Sequence, residues 1–493
     1  MEFFERTWRP HVPGPSKVVI GLLMACATIT SATVGFDASM MNGLNILPSY
    51  TEYFSITTIT KGLSASATYI GGILAGLVFP HIVDKLSRRT ALLLAASVTI
   101  GFIAIQAASQ PIAMFIALRI GLGFGKSCTI IVAPTYLAET FPYKYRGWGL
   151  GLINDFYYVG ALITAGVTYR TAEFNSTWAW RTPSLLQGFW SLLCISVLPF
   201  IPESPRWLIS QGRYQEALKV LAQVNSDGDE SHASVVEQHR EIMDAMERDD
   251  STIGRMKLRE IVRSRSVIRR LSLVFSCALA TVIVASTFDL IPESSWCTDV
   301  EANSYFGTML ENAGITDSTT QLQIILGTYL YDKLGRRLSA LLSTTLLTLF
   351  LYLIGILIRL YGTSTHKPGI YGAVACMFLF MGSYSLSWTP LCYLYPPEVF
   401  NYPIRAQGMG LNTWTYFSFG LVFVFSFPFA LETLGWKAYV MNASWNWGLI
   451  VFIYFYWVET AGKTLEEIDA IFEGDEGLVT LDAVEGGKED EKI

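Results

Sequence analysis

Charge is what this sequence has least of. Only 15% of its 493 residues are Asp, Glu, Lys or Arg, where a water-soluble globular chain carries about a quarter. A deficit of that size excludes a chain bathed in water on every side. The net charge of −6 offers no cationic face to a nucleic acid. Histidine is scarce, at five residues, and no His/Cys/carboxylate cluster has catalytic spacing. These absences point away from an enzyme and call for no cofactor and no metal. The seven cysteines form no CxxC pair and no disulfide framework. Cys26, Cys128, Cys194, Cys376 and Cys392 lie in apolar stretches and read as small hydrophobes. No cleaved leader is expected either, because MEFFERTWRPHVPGPSK is polar and the apolar run after it is too long for a signal-peptide core.

Apolar sequence fills the space that charge leaves. Apolar and aromatic residues make up 51% of the chain, and its mean hydropathy is +0.38. At 1.5 Å per residue, about 20 apolar residues cross a bilayer core of about 30 Å. Such runs occur at 17–46, 57–80, 90–109, 112–133, 148–169 and 184–201, and again at 271–291, 315–331, 338–361, 369–394, 407–430 and 438–458. The expectation is an all-α polytopic membrane protein with twelve spans in two groups of six. The eighth run looks short, since its apolar core covers only 324–331. The predicted organisation is a six-helix bundle over 1–201, a polar cytoplasmic linker over 202–270, a second bundle over 271–458 and a tail over 459–493. Within the linker, 212–224 has helical periodicity. Beyond 473 the tail is acidic, polar and predicted to be disordered.

Lys and Arg set the orientation. They gather after the second span (Lys85, Arg88, Arg89), the fourth (Lys144, Arg146), the eighth (Lys333, Arg336, Arg337) and the tenth (Arg405). The connection after span seven has Asp289, Glu293, Asp299 and Glu301 and no cation. Both termini are therefore predicted to be cytoplasmic. The external loop after span five then holds the sequon Asn175-Ser176-Thr177, a glycosylation candidate at Asn175.

The chain also repeats itself. DKLSRR at 84–89 matches DKLGRR at 332–337. PTYLAETFPYKYRG at 134–147 matches PLCYLYPPEVFNYPIRAQG at 390–408. PESPRWL at 202–208 has its counterpart in VETAGKTLEEID at 458–469. Three cytoplasmic motifs recur in one order in both halves, as parallel repeats do in transporters. These residues resemble the sugar porter family of the major facilitator superfamily. GFDASMMNGL in span one and PESPRWL resemble its fungal lactose-permease-like members. The resemblance covers nearly the whole chain apart from spans seven and eight. It implies alternating access: two six-helix bundles rock about a sugar held near the bilayer midplane.

Acids and bases alternate at the cytoplasmic ends of both halves. Asp84, Arg88, Arg89, Glu139, Arg146, Glu203 and Arg206 in the first half, and Asp332, Arg336, Arg337, Glu398, Arg405 and Glu459 in the second, are candidates for a gate that pairs when closed and separates when open. Ordinary snorkelling and topology signalling are the plainer alternative. Ser87 stands where the motif usually has glycine, with a small effect expected on the turn.

Inside the membrane, Asp37 stands out. A carboxylate at depth costs roughly 2.5–3.5 kcal/mol on insertion scales and needs a partner. Arg119 lies a similar distance below the outer end of its own span, so the two depths match. In proton-coupled sugar porters an acid at the Asp37 position faces an arginine at the Arg119 position, so the resemblance implies proton symport. A permanent structural ion pair is the alternative. The neighbouring GLGFG at 121–125 follows no strand and reads as small-residue helix packing. For substrate contact the resemblance points to Asn154, where the family usually has glutamine, to Trp388 in SLSWTP, and to Asn412 in span eleven. Span seven departs from the family: 275–296 contains no glutamine or asparagine. A misread exon junction and real divergence both remain open there. The expected partners are a sugar (hexose or disaccharide), protons and the lipid bilayer of the plasma membrane, with the chain monomeric. A transporter of another small molecule, such as a polyol, a quinate-like acid or a secondary metabolite, and a non-transporting sugar sensor are the alternatives.

Overall fold

The computed structural model of the chain describes residues 12, 15–83, 85–174, 176–252, 265–286, 334–361, 367–463 and 465–473. Among the described residues the regular elements are all helices. In the first half these are α1 (Ser16–Ile46), the short α2 (Pro48–Thr51), α3 (Thr58–Val83), α4 (Arg88–Ala107), α5 (Ile112–Thr140), α6 (Tyr143–Thr171) and α7 (Trp178–Val197). The polar connection forms α8 (Pro205–Ser210), α9 (Tyr214–Asn225) and α10 (Ala233–Thr252). The second half contributes α11 (Arg265–Ser286), α12 (Arg336–Tyr361), α13 (Lys367–Val399), α14 (Tyr402–Leu434), α15 (Trp436–Tyr456) and the terminal α16 (Leu465–Glu473).

Eight described helices are both long and apolar enough to cross a membrane. The helices α6, α14 and α15, of 29, 33 and 21 residues, equal them in length. The predicted eighth span at 315–331 and the tail beyond 473 lie outside the described residues.

Several ends differ from the apolar windows. α7 starts at Trp178, not 184, and α11 at Arg265, not 271. α5 and α13 run on to Thr140 and Val399, through Pro134 and Pro390, instead of stopping at 133 and 394. A window ends where charge begins, whereas a helix continues wherever its charges find partners. Proline is tolerated inside such helices because neighbouring groups satisfy the freed carbonyl.

In the first bundle α1 packs on α6 and α7, and α5 packs on α3 and α4. In the second, α12 packs on α13 and α15, and α11 on α14. The bundles meet chiefly where α3 lies against α14 and α6 against α13. At the first of these contacts a Cβ on Gly410 would lie 2.1 Å from Pro80 Cγ and 2.6 Å from the Gly76 carbonyl oxygen. Only glycine allows so close an approach of the two backbones.

Candidate functional site

The first site is an ion cluster buried between α1 and α5. Asp37 is 1% exposed and Arg119 2%. Arg119 Nη1 lies 3.1 Å from Asp37 Oδ1, and Arg119 Nε donates to the Ser64 carbonyl oxygen at 3.0 Å. The matched depths seen in the sequence therefore correspond to a contact. A second cation also binds the carboxylate: Lys126 Nζ donates to Asp37 Oδ2. Sequence reasoning missed it. The signal was there, because Arg119 and Lys126 are seven residues apart, two helical turns, and share one face of α5. Gln187 of α7 is fully buried against the same carboxylate.

The second site lies at the helix ends that carry the repeated charged motifs. Glu139 of α5 is shared by three groups. Arg88 Nε reaches it at 3.2 Å, the Ser204 hydroxyl donates to it at 2.6 Å, and Arg405 Nη1 of the opposite bundle reaches it at 3.4 Å. The second half repeats the pattern. Arg336 Nη2 lies 3.4 Å from Glu398 Oε1, and the Thr460 hydroxyl donates to Glu398 at 2.7 Å.

Glu203 and Glu459 take another role. Glu203 accepts the Arg89 backbone N–H at 3.3 Å. Glu459 accepts those of Arg336 and Arg337 at 2.7 and 3.0 Å. Each carboxylate thus caps the start of α4 or α12, where unsatisfied N–H groups and the helix dipole favour an anion. Most of the expected gate pairs therefore stay within one bundle, because helix starts and same-bundle arginines are nearer than the other half. Contacts at these ends that do cross include Arg405 to Glu139, and Tyr402, whose ring lies 5.6 Å from Arg88 Cζ and whose hydroxyl lies 3.1 Å from that of Ser210. Arg206 is buried beside Arg405 and Asp469. Asp84, Asp332, the Arg146 side chain and Asn175 lie outside the described residues.

Burial pushes the Glu203 carboxyl above its ordinary value, opposed by the Ser204 N–H, the Ser87 hydroxyl and Arg89. The same cause raises Asp469, opposed chiefly by Arg270. The two repeated turns differ in backbone. Ser87 is extended and caps α4 by accepting the Thr90 N–H, whereas Gly335 has φ +84°. A Cβ on Gly335 would meet a Glu459 carboxylate oxygen at 2.4 Å.

The third region is the space between the bundles. A cleft of about 10 Å³ lies among Thr30, Ser31, Thr129, Ile153 and Tyr393, room for about one water. Trp388 is fully buried, its indole N–H donates to the Thr344 hydroxyl at 3.2 Å, and its ring meets Trp457 edge-on. Asn412 is half-buried on α14, and the Asn154 side chain lies outside the described ones.

Comparison with known proteins agrees with this geometry. Residues 23–472 match the family described as "Sugar (and other) transporter". The chain is 27% identical to the MFS glucose transporter mfs1 of Aspergillus flavus, over 94% of this chain and 91% of that one. It is 26% identical to the high-affinity glucose transporter of Kluyveromyces lactis, over 95% and 87%. Among solved structures, the proton:xylose symporter XylE bound to 6-bromo-6-deoxy-D-glucose superimposes with a TM-score of 0.78 at 20% identity, covering 93% of this chain and all of XylE. The helical bundles, the repeated charged motifs and the family match together establish that this chain is a multi-pass membrane protein of the sugar transporter family, within the major facilitator superfamily.

Proposed function

We propose that this chain moves a sugar across the plasma membrane by alternating access, coupled to protons through the Asp37–Arg119 site. The observation that carries the coupling is the buried carboxylate at membrane depth, held 3.1 Å from Arg119. An intramembrane ion pair that a proton can alter gives the two bundles a reason to change state with proton occupancy. The glucose and xylose transporters among its relatives favour a monosaccharide. Asn154, Trp388 and Asn412 are the proposed sugar contacts. Trp388 would offer a ring face, because Thr344 takes its N–H. The Lys and Arg distribution supports cytoplasmic termini, with the Glu139–Arg405 contact as the inner latch. The missing amides of 275–296 favour a second reading, another small polar solute carried by the same machinery.

Labelled D-glucose and D-xylose uptake in transport-null cells at pH 5 and pH 7 tests the proposal. The expected result is uptake of one of them, faster at the lower pH. No uptake of any sugar despite surface expression would defeat it.

A further inference from the structure

We propose that the end of α3 holds an anionic phospholipid, its phosphate on Lys85 and His81 and an acyl chain along Leu77, Val78 and Ile82. The inference needs only the membrane insertion established above and is independent of sugar or proton coupling. Two faces of α3 are already taken. Gly71 packs on Ile120 of α5, and Gly72, Gly76 and Pro80 pack on Phe417, Gly410 and Trp414 of α14. A third stripe faces neither helix. Its members Leu77 and Val78 are 54% and 49% exposed, and Ile70 and Leu74 continue it toward the other end. About a turn beyond Val78 the stripe changes character. His81 and Lys85, four residues apart and so on one side of the chain, are both exposed. Among the described residues neither side chain has a hydrogen-bond or ion-pair partner. The described part of the stripe carries no acid, and Asp84 lies outside the described residues.

Shape and depth fit a lipid. Leu77, Val78, His81, Ile82, Lys85 and Leu86 line a groove of about 570 Å³, within the roughly 300–1,000 Å³ of ligand pockets. The apolar span Gly62–Val83 has 22 residues, about 33 Å at 1.5 Å per residue, against about 30 Å of hydrocarbon. His81 and Lys85 therefore stand at headgroup level, while Leu77 and Val78 stand among acyl chains. A phosphodiester anion suits an ammonium and an imidazole N–H. A choline headgroup would bring a further cation to a stripe with no described acid to receive it. The orientation proposed above makes this the cytoplasmic leaflet, where anionic lipids attract basic residues.

The test uses the purified full chain in detergent, with bound lipid counted by native mass spectrometry. The probes are dioleoylphosphatidylserine, dioleoylphosphatidylcholine and glycerophosphoserine, the last being the headgroup without its chains. Wild type should retain phosphatidylserine in preference to phosphatidylcholine, and glycerophosphoserine should not displace it. Lys85→Gln should weaken phosphatidylserine binding roughly fivefold, the effect of one basic residue near an anionic surface, and Lys85→Arg should retain it. Adding His81→Gln to Lys85→Gln should abolish the preference and leave phosphatidylcholine binding as it was. Val78→Trp, which fills the groove and keeps both cations, should weaken both lipids. A phosphatidylserine analogue with a diazirine on its acyl chain should label 77–86 in wild type, and this arm carries the test alone if the variants fail to assemble. Equal retention of the two lipids, an unchanged preference in the double variant, or label confined to other helices would overturn the inference. Displacement by glycerophosphoserine would mark a site for soluble phosphates and overturn it too.

Discussion

Glu139 is bound at once by Arg88 and Ser204 of its own half and by Arg405 of the other. Of these three, only the last must break for the two halves to part at this end. A hydrogen bond to a charged group contributes about 1.5–3 kcal/mol, so Arg405→Gln is predicted to shift the equilibrium about 10- to 100-fold toward the cytoplasm-open state. Distances between spin labels on the exposed Gln211 and Gln407 should lengthen accordingly. Glu203 yields a pH prediction. Its folded value is raised, so its stabilising contribution is present below the unfolded carboxylate value of about 4.3 and is lost as pH rises through the folded value. Melting in detergent should show wild type gaining stability on acidification through that window, and Glu203→Gln gaining less. Asp37 was legible in the sequence because a carboxylate among apolar residues has no neutral explanation. Lys126 was not, because the glycines beside it read as packing, and only the seven-residue spacing from Arg119 marked the shared face.

Close backbone approach governs the elements. The contact of α3 with α14 leaves no space for a Cβ at Gly410. Overpacking of this kind costs about 1–3 kcal/mol, so Gly410→Ala is predicted to slow uptake about tenfold at equal surface expression. The turn before α12 needs φ +84° at Gly335 and holds Glu459 against it. Gly335→Ala should therefore destabilise the second half, seen as a lower melting temperature. Its partner position already carries Ser87 in an extended backbone, so Ser87→Ala should lose a helix cap, about 1 kcal/mol, together with the hydroxyl beside Glu203. The spans themselves were legible from apolar length. Their ends were not, since 134–140 and 395–399 are helical through ion pairs and proline-tolerant packing that hydropathy does not register. The cap role of Glu203 and Glu459 was equally hidden, because it depends on helix starts that lie more than a hundred residues away in sequence.

Across the whole molecule, the repeated motifs announced the two-half design and the fold places them as pairs. Arg88, Glu139 and Ser204 have Arg336, Glu398 and Thr460 as their counterparts, and Arg405 pairs with Glu139 across the halves. Ion pairs gather within each half, while the halves meet along the helix faces of α3 with α14 and α6 with α13. Substrate identity was less legible, because the sugar contacts came from family position alone and span seven lacks the expected amides. Sugar that enters with a proton must draw acid from the medium, and a pH electrode reads that directly. Adding D-glucose, or D-xylose if that is the sugar carried, to lightly buffered cells expressing the chain should alkalinise the medium in step with labelled uptake, and Asp37→Asn should abolish the pH change while sparing sugar exchange. Uptake without alkalinisation in wild type would contradict the account.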